Sequence, residues 1–97
     1  MFVQIMDYRT TDRDAMAALE EEWRAQSVGE RTTQRVLVGR DRNDPERYLV
    51  MAFFEDEAAA QANYEAQSTV NAADRQAALL IGSPTFIDLE IVKDVHY

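Results

Sequence analysis

A chain of 97 residues with 46% hydrophobic content is the size of one compact domain, and no Pro-, Gly- or Ser-rich stretch divides it, so residues 1–97 are read as a single domain. It has no cysteine, which excludes disulfides and thiolate metal sites, and ten Lys and Arg against eighteen Asp and Glu leave a formal charge of −8, a field that repels nucleic acid and anionic membranes. The opening Met-Phe-Val-Gln-Ile-Met-Asp has no basic segment and no apolar run long enough for a signal sequence or a membrane span, so a cytoplasmic protein is expected.

Phe2 to Arg9 reads as a first strand, with Phe2, Gln4, Met6 and Tyr8 on one face and Val3, Ile5, Asp7 and Arg9 on the other. Thr10 to Asp14 offers a hydroxyl cap followed by acids, which suit the positive end of a helix running to about Gln26. Its apolar stripe is Met16, Leu19 and Trp23, and Glu20 can pair with Arg24 one turn on. Gly29 stops this helix. Thr32 to Asp41 is a second strand, with Gly39 as a candidate bulge or close-approach point. Arg42 to Glu46 is turn material, and Arg47 to Glu55 is a third strand that closes a hairpin with the second. Asp56-Glu57 opens a helical region that could reach Ile81, but about 25 helical residues would span roughly 37 Å, beyond the roughly 27 Å of an eight-residue strand. A break is therefore expected within Asn63 to Asn71, followed by an apolar stripe of Val70, Ala73, Ala77, Leu80 and Ile81. Gly82-Ser83-Pro84 ends the region, and Thr85 to Val95 is an edge strand alternating Ile87, Leu89 and Ile91 against Asp88 and Glu90.

The order strand, helix, strand, strand, helix, strand is the split βαβ arrangement: an α+β, ferredoxin-like fold with a four-stranded antiparallel sheet, strands one and three central. Tyr48 to Phe54, an apolar run without polar alternation, fits a central strand covered on both faces. Two helical regions can cover only one face, so Tyr48, Val50, Ala52 and Phe54 on one parity and Leu49, Met51 and Phe53 on the other are expected to split between the subunit core and a homodimer interface. Asp88 and Glu90 imply a thinner second cover at the fourth strand.

No Gly-x-Gly-x-x-Gly, P-loop or Gly-x-Ser-x-Gly occurs, so phosphate-cradling and nucleophile-elbow chemistry have no carrier. His96 is the lone histidine, beside the C-terminal residue, and Asp12, Asp14 and Glu20 to Glu22 form a solvated helix start and face; no metal site is expected. RNA-recognition domains share the fold, but this third strand puts Leu49 and Met51 where their aromatics would stack. Trp23, Tyr8, Tyr64 and Asn63 could orient an organic ligand in an apolar cleft, since Trp and Tyr join a large apolar body to a polar tip and Asn both donates and accepts. The plainer reading makes Trp23 the anchor of the first helix on the sheet and Asn63 a helix-ending residue.

Phe54-Glu55-Asp56-Glu57-Ala58-Ala59 with Ala62-Asn63, and later Gly82-Ser83-Pro84-Thr85-Phe86, resembles the dimeric α+β barrel superfamily and its antibiotic biosynthesis monooxygenase (ABM)-like members over nearly the whole chain. The resemblance implies a homodimer whose sheets pack face to face, with a ligand cleft between sheet and helices in each subunit. It also implies a cofactor-independent monooxygenase on a small aromatic substrate, quinol- or polyketide-like. Asp7, Tyr8 and Asn63 would then be the catalytic candidates, and Trp23 and Tyr64 the ligand-binding ones. Haem-degrading relatives use a histidine on the second helical segment, which this chain lacks between Asp56 and Ile81, so no cofactor is expected. The alternative is a non-enzymatic dimeric module that binds a small ligand or a protein.

Overall fold

β1 (Phe2–Arg9), β2 (Arg35–Arg40), β3 (Arg47–Phe54) and β4 (Thr85–Glu90) form one antiparallel sheet in the order β2-β3-β1-β4. The computed structural model describes all 97 residues, and α1 (Arg13–Gln26), α2 (Glu57–Glu65) and α3 (Gln67–Ala77) complete a ferredoxin-like α+β fold. The register pairs Tyr8 with Tyr48, Met6 with Val50, Gln4 with Ala52 and Phe2 with Phe54. These side chains share one face, and that face carries the core: the Tyr8 and Tyr48 rings stack at 5.7 Å, Met16 of α1 packs on them, and Leu79 and Leu80 close the cluster. All three helices lie on this side. The opposite parity, Val3 and Ile5 on β1, Leu49, Met51 and Phe53 on β3, Leu37 on β2 and Ile87 and Leu89 on β4, makes a second apolar face with no helix over it. Only nine of the 97 residues are buried, and of the six apolar ones only Val3, flanked by Phe53 and Leu89 on the neighbouring strands, is on the open face.

The helix starts have local causes. Asp12 caps α1, its carboxylate accepting from the Ala15 amide at 3.0 Å, so the cap is an acid and not a threonine hydroxyl. Thr10 is occupied elsewhere: its Oγ1 donates to the Leu79 carbonyl at 2.8 Å and accepts from the Asp12 amide at 3.1 Å, while its own amide donates to Glu46. That one residue, 2% exposed, ties the end of β1 to the β2–β3 hairpin through its amide and to the segment after α3 through its hydroxyl. Asp56 caps α2 through the Ala59 amide at 2.8 Å. The helical region breaks at Ala66, whose extended backbone (ψ 137°) separates α2 from α3, inside the expected window.

Several sequence expectations are corrected. Glu20 pairs with Arg13, two turns back, through two 2.9 Å hydrogen bonds, and Arg24 reaches Glu21 instead. The stripe Val70, Ala73, Ala77 points outward: the break at Ala66 resets the helical phase, and Ser68, Thr69 and Ala72 form the inward side. β2 starts at Arg35 and not at Thr32, because the Thr32 and Thr33 hydroxyls are spent on α2, donating to the Ala59 carbonyl at 2.6 Å and to Asn63 Oδ1 at 3.2 Å. Gly39 pairs with Leu49 in unbroken register, so it makes no bulge, and a Cβ at this position would meet nothing within 4 Å, so no close approach requires glycine. β4 stops at Glu90, opposite Phe2 at the start of β1, and one further backbone bond, from the Ile91 amide to the Met1 carbonyl at 2.9 Å, uses up its only ladder partner. Asp88 and Glu90 lie on the helix side of β4, opposite Gln4 and Phe2, so the thin cover at this edge is the helical layer; the other side of β4 is apolar.

At the hairpin end of the open face, Asp7 and Asp41 grip Arg47, with Nη2 to Asp7 at 2.7 Å and Nη1 to Asp41 at 3.0 Å. Arg47 holds the Asp7 carboxyl below its ordinary range by hydrogen bond and charge, and Asp41 is lowered first by the Asn43 amide and then by Arg47. A lowered folded-state pKa stabilises the fold above the unfolded value of about 4, and that contribution is lost as pH falls through the folded value. Urea midpoints measured from pH 6 down to pH 2 should therefore fall with acidification, and the fall should be shallower in Arg47→Met; equal slopes would show that the cluster contributes nothing. Thr10→Val should cost about 1–3 kcal/mol, since it strands the Leu79 carbonyl and the Asp12 amide without changing shape, read as a lower urea midpoint at constant m and fixed protein concentration.

Candidate functional site

α2 lies over β1 and β3 and leaves β4 uncovered, and the gap it leaves is a cleft of about 320 Å³. Glu57, Ala60, Gln61 and Tyr64 recur every three or four residues and so share one helical face, which forms one wall. Phe2 and Gln4 from β1 and Phe86 and Asp88 from β4 form the other wall, all of the helix-side parity. Ala60 is buried and small, which gives the cleft its depth, while Phe86 and Tyr64 stand more than half exposed as aromatic lips. Gln4 Nε2 donates to Asp88 Oδ1 at 3.3 Å across the ladder, holding the amide and the carboxylate side by side. The volume is at the low end of the roughly 300–1,000 Å³ typical of small-molecule sites. Flat apolar rings can lie against Phe2, Tyr64 and Phe86, and hydroxyl or amine hydrogens can be met by Asp88 and Glu57.

The residues singled out from sequence are spread over several places. Tyr64 lines the cleft. Asn63, about 100° further round α2, bonds Thr33 on the flank turned to β2. Trp23 sits between α1 and α3, its Nε1 donating to Thr69 Oγ1 at 3.1 Å, with the Arg31 guanidinium over the indole. It anchors helix to helix, not helix to sheet. Tyr8 and Asp7, neighbours on a strand, project to opposite faces. The Tyr8 hydroxyl is buried in the core without a hydrogen-bond partner and its pKa is pushed up to about 12, first by burial and then by the Glu20 charge. Asp7 is bound to Arg47 on the open face. Sequence reasoning missed Gln4, Glu57, Gln61, Phe86 and Asp88. The signal available was Gln4, a polar residue between Phe2 and Met6 on a core-facing parity, which marks a place where the helical layer does not seal. No three His, Asp or Glu side chains come together that could hold a metal ion, and no helix is long and apolar enough to cross a membrane. His96 reaches only Asp94, on the exposed C-terminal segment.

The fold recurs in solved structures. SnoaB, a cofactor-independent oxygenase from Streptomyces nogalater solved as a mutant, superposes with a TM-score of 0.82 at 12% identity, covering 97% of this chain and 95% of its own. Rv0793 from Mycobacterium tuberculosis gives 0.79 at 11% identity over 98% of each chain. An antibiotic biosynthesis monooxygenase crystal structure gives 0.77 at 16% identity, covering 96% of this chain and all of its own. No curated protein matches the sequence. At such identities the structural likeness speaks for the fold alone, but the sequence model of one family matches from β1 through the first turn of α3. Through that match over residues 1–70, the chain belongs to the antibiotic biosynthesis monooxygenase family.

Proposed function

We propose that the protein is a cofactor-independent monooxygenase of a small, electron-rich aromatic, working in the cleft beneath α2 as a cytoplasmic homodimer. The observation that carries this reading is the cleft itself, where three aromatic side chains surround a paired amide and carboxylate in a chain of this family. A substrate with an acidic methylene between aromatic rings would give its proton to a carboxylate or to solvent, and the resulting anion would reduce O₂. A C–O bond then forms, and loss of water from the hydroperoxide leaves a carbonyl: one oxygen atom stays in the product and the other leaves as water. The protein's part is to orient the ring, with Gln4 and Asp88 at its oxygen-bearing edge and Tyr64 along its face. The second reading, a non-enzymatic binding module, is favoured by one observation: the groups with displaced pKa values, Asp7, Tyr8, Arg13, Asp41 and Arg47, all lie outside the cleft.

Dimerisation through the open sheet face is supported by area. The chain exposes 6786 Å², against about 5,700 Å² for a folded monomer of its mass. The excess of roughly 1,100 Å², shared between the bare sheet face and residues 91–97, exceeds the roughly 800 Å² per partner of a standard interface. Light scattering should give about 22 kDa from two chains of 11.1 kDa, and Met51→Glu, which puts a charge at the centre of that face, should yield monomer or aggregate. A wild-type monomer would refute the dimer.

Oxygen uptake with a panel of anthrones and naphthalene hydroquinones should exceed the protein-free rate and fall about 10²-fold in Asp88→Asn. No uptake over the panel favours the binding module. Loss in Asn63→Ala with Asp88→Asn unaffected would move the substrate to the β2 flank of α2.

A further inference from the structure

The cleft is built without a positive charge. None of its eight lining residues is Lys or Arg, and the two elements that flank its open side, α2 (Glu-Ala-Ala-Ala-Gln-Ala-Asn-Tyr-Glu) and β4 (Thr-Phe-Ile-Asp-Leu-Glu), contain no Lys or Arg at all. Half of the chain's ten Lys and Arg are in ion pairs away from the cleft: Arg9 with Asp44, Arg13 with Glu20, Arg24 with Glu21, Arg47 with Asp7 and Asp41, and Arg75 with Glu22. Arg31 and Arg35 lie over Trp23 and Phe53. Facing into or flanking the cleft are Glu57, Asp88 and, two ladder pairs further along β4, Glu90. Of these, Asp88 is fixed in place by Gln4, so its second oxygen is the free acceptor in the cleft. A carboxylate on a ligand would enter against these charges and the overall −8, and no Lys or Arg lines the cleft to meet it.

On the reading that this cleft is the substrate site, we propose that it discriminates by charge: it takes aromatic ligands that are neutral or cationic and carry a hydrogen-bond donor, and it rejects aromatic carboxylates, with Asp88 as the residue that sets the preference. Phe86 and Asp88 both stand on the edge strand β4, on the open side of the cleft. A protonated amine gains both the Asp88 hydrogen bond and the aromatic faces of Phe86 and Tyr64. A phenol gains the hydrogen bond alone. A carboxylate gains neither.

The test uses three probes of one ring system, 2-naphthylmethylammonium, 2-naphthol and 2-naphthoate, titrated into the isotope-labelled full chain and followed by amide shifts. Shifts should centre on Gln4, Ala60 and Tyr64, with the cation bound at least about tenfold more tightly than the anion at low salt and 2-naphthol between them. The ratio should shrink toward unity near 0.5 M salt as screening shortens to a few ångströms. Asp88→Asn should reduce the cation-to-anion ratio at least threefold. Asp94→Asn removes the same unit of charge on the C-terminal segment, outside the cleft, and should leave the ratio within a factor of about 1.5. Equal binding of the three probes, tighter binding of 2-naphthoate, or an equal effect of Asp94→Asn would overturn the charge selection while leaving the cleft as the binding site. Shifts that centre elsewhere, or no binding by any probe, would overturn both this inference and the reading it rests on.

Discussion

The pairing of β1 with β3 governs the rest of the molecule. Both strands carry apolar side chains on both parities, so the ladder that joins Tyr8 to Tyr48 and Met6 to Val50 on one side necessarily joins Val3 to Phe53 and Ile5 to Met51 on the other. Three helices of nine to fourteen residues supply one layer, and they settle on the side where the tyrosine pair and Met16 pack. Full burial of a single large apolar side chain is worth about 1.5–3 kcal/mol, so a face presenting Leu37, Leu49, Met51, Phe53 and Ile87 is a large unspent driving force for association. The same shortage of helical cover produces the cleft. One layer centred on β1 and β3 cannot also seal β4, and the residues it leaves open on the helix side are Gln4, Phe86 and Asp88.

What could be read from the sequence was what period and punctuation encode. The parity of Tyr48–Phe54, the strand order, the Asp56 start and the break near Ala66 all follow from two-residue alternation, capping chemistry and a helix too long for its sheet. What could not be read was orientation. Alternation on β4 separates Asp88 from Leu89 but does not say which of them looks toward the helices, and that depends on a register with β1 set 80 residues away in sequence. Likewise the stripe through Val70, Ala73 and Ala77 is a real period, yet the break sets the phase of α3 afresh and Thr69, held by Trp23, decides which side turns inward. A hydroxyl cap within Thr10 to Asp14 is the local expectation; the partners of Thr10, Leu79 and Glu46, are distant in sequence, and Asp12 supplies the cap.

Charge is segregated by the same geometry. Arginine has a long stem and a fork of donors, and here it is used at the rim: Arg47 closes the hairpin between Asp7 and Asp41, and Arg9 reaches Asp44 in the same turn region. These pairs are partly solvated, so their strength lies in a shared fork holding several backbone segments, and less in Coulomb energy. Arg9 and Arg47 are thus held at the hairpin end, while the cleft where β4 meets α2 is lined by the carboxylates of Glu57 and Asp88 and by no Lys or Arg.

Family membership bears unequally on the two walls of the cleft. The matched residues 1–70 include β1 and α2, which supply Phe2, Gln4, Glu57, Ala60, Gln61 and Tyr64, while β4 supplies Phe86 and Asp88 from outside the match. An edge strand bonded to one neighbour has little packing to constrain its outward side chains, so its helix-side positions can change without disturbing the core at Tyr8, Met16 and Tyr48. On the sheet side of the cleft β4 presents Asp88, fixed by the Gln4 amide of β1, so the contact between Gln4 and Asp88 joins the part of the cleft inside the family match to the part beyond it.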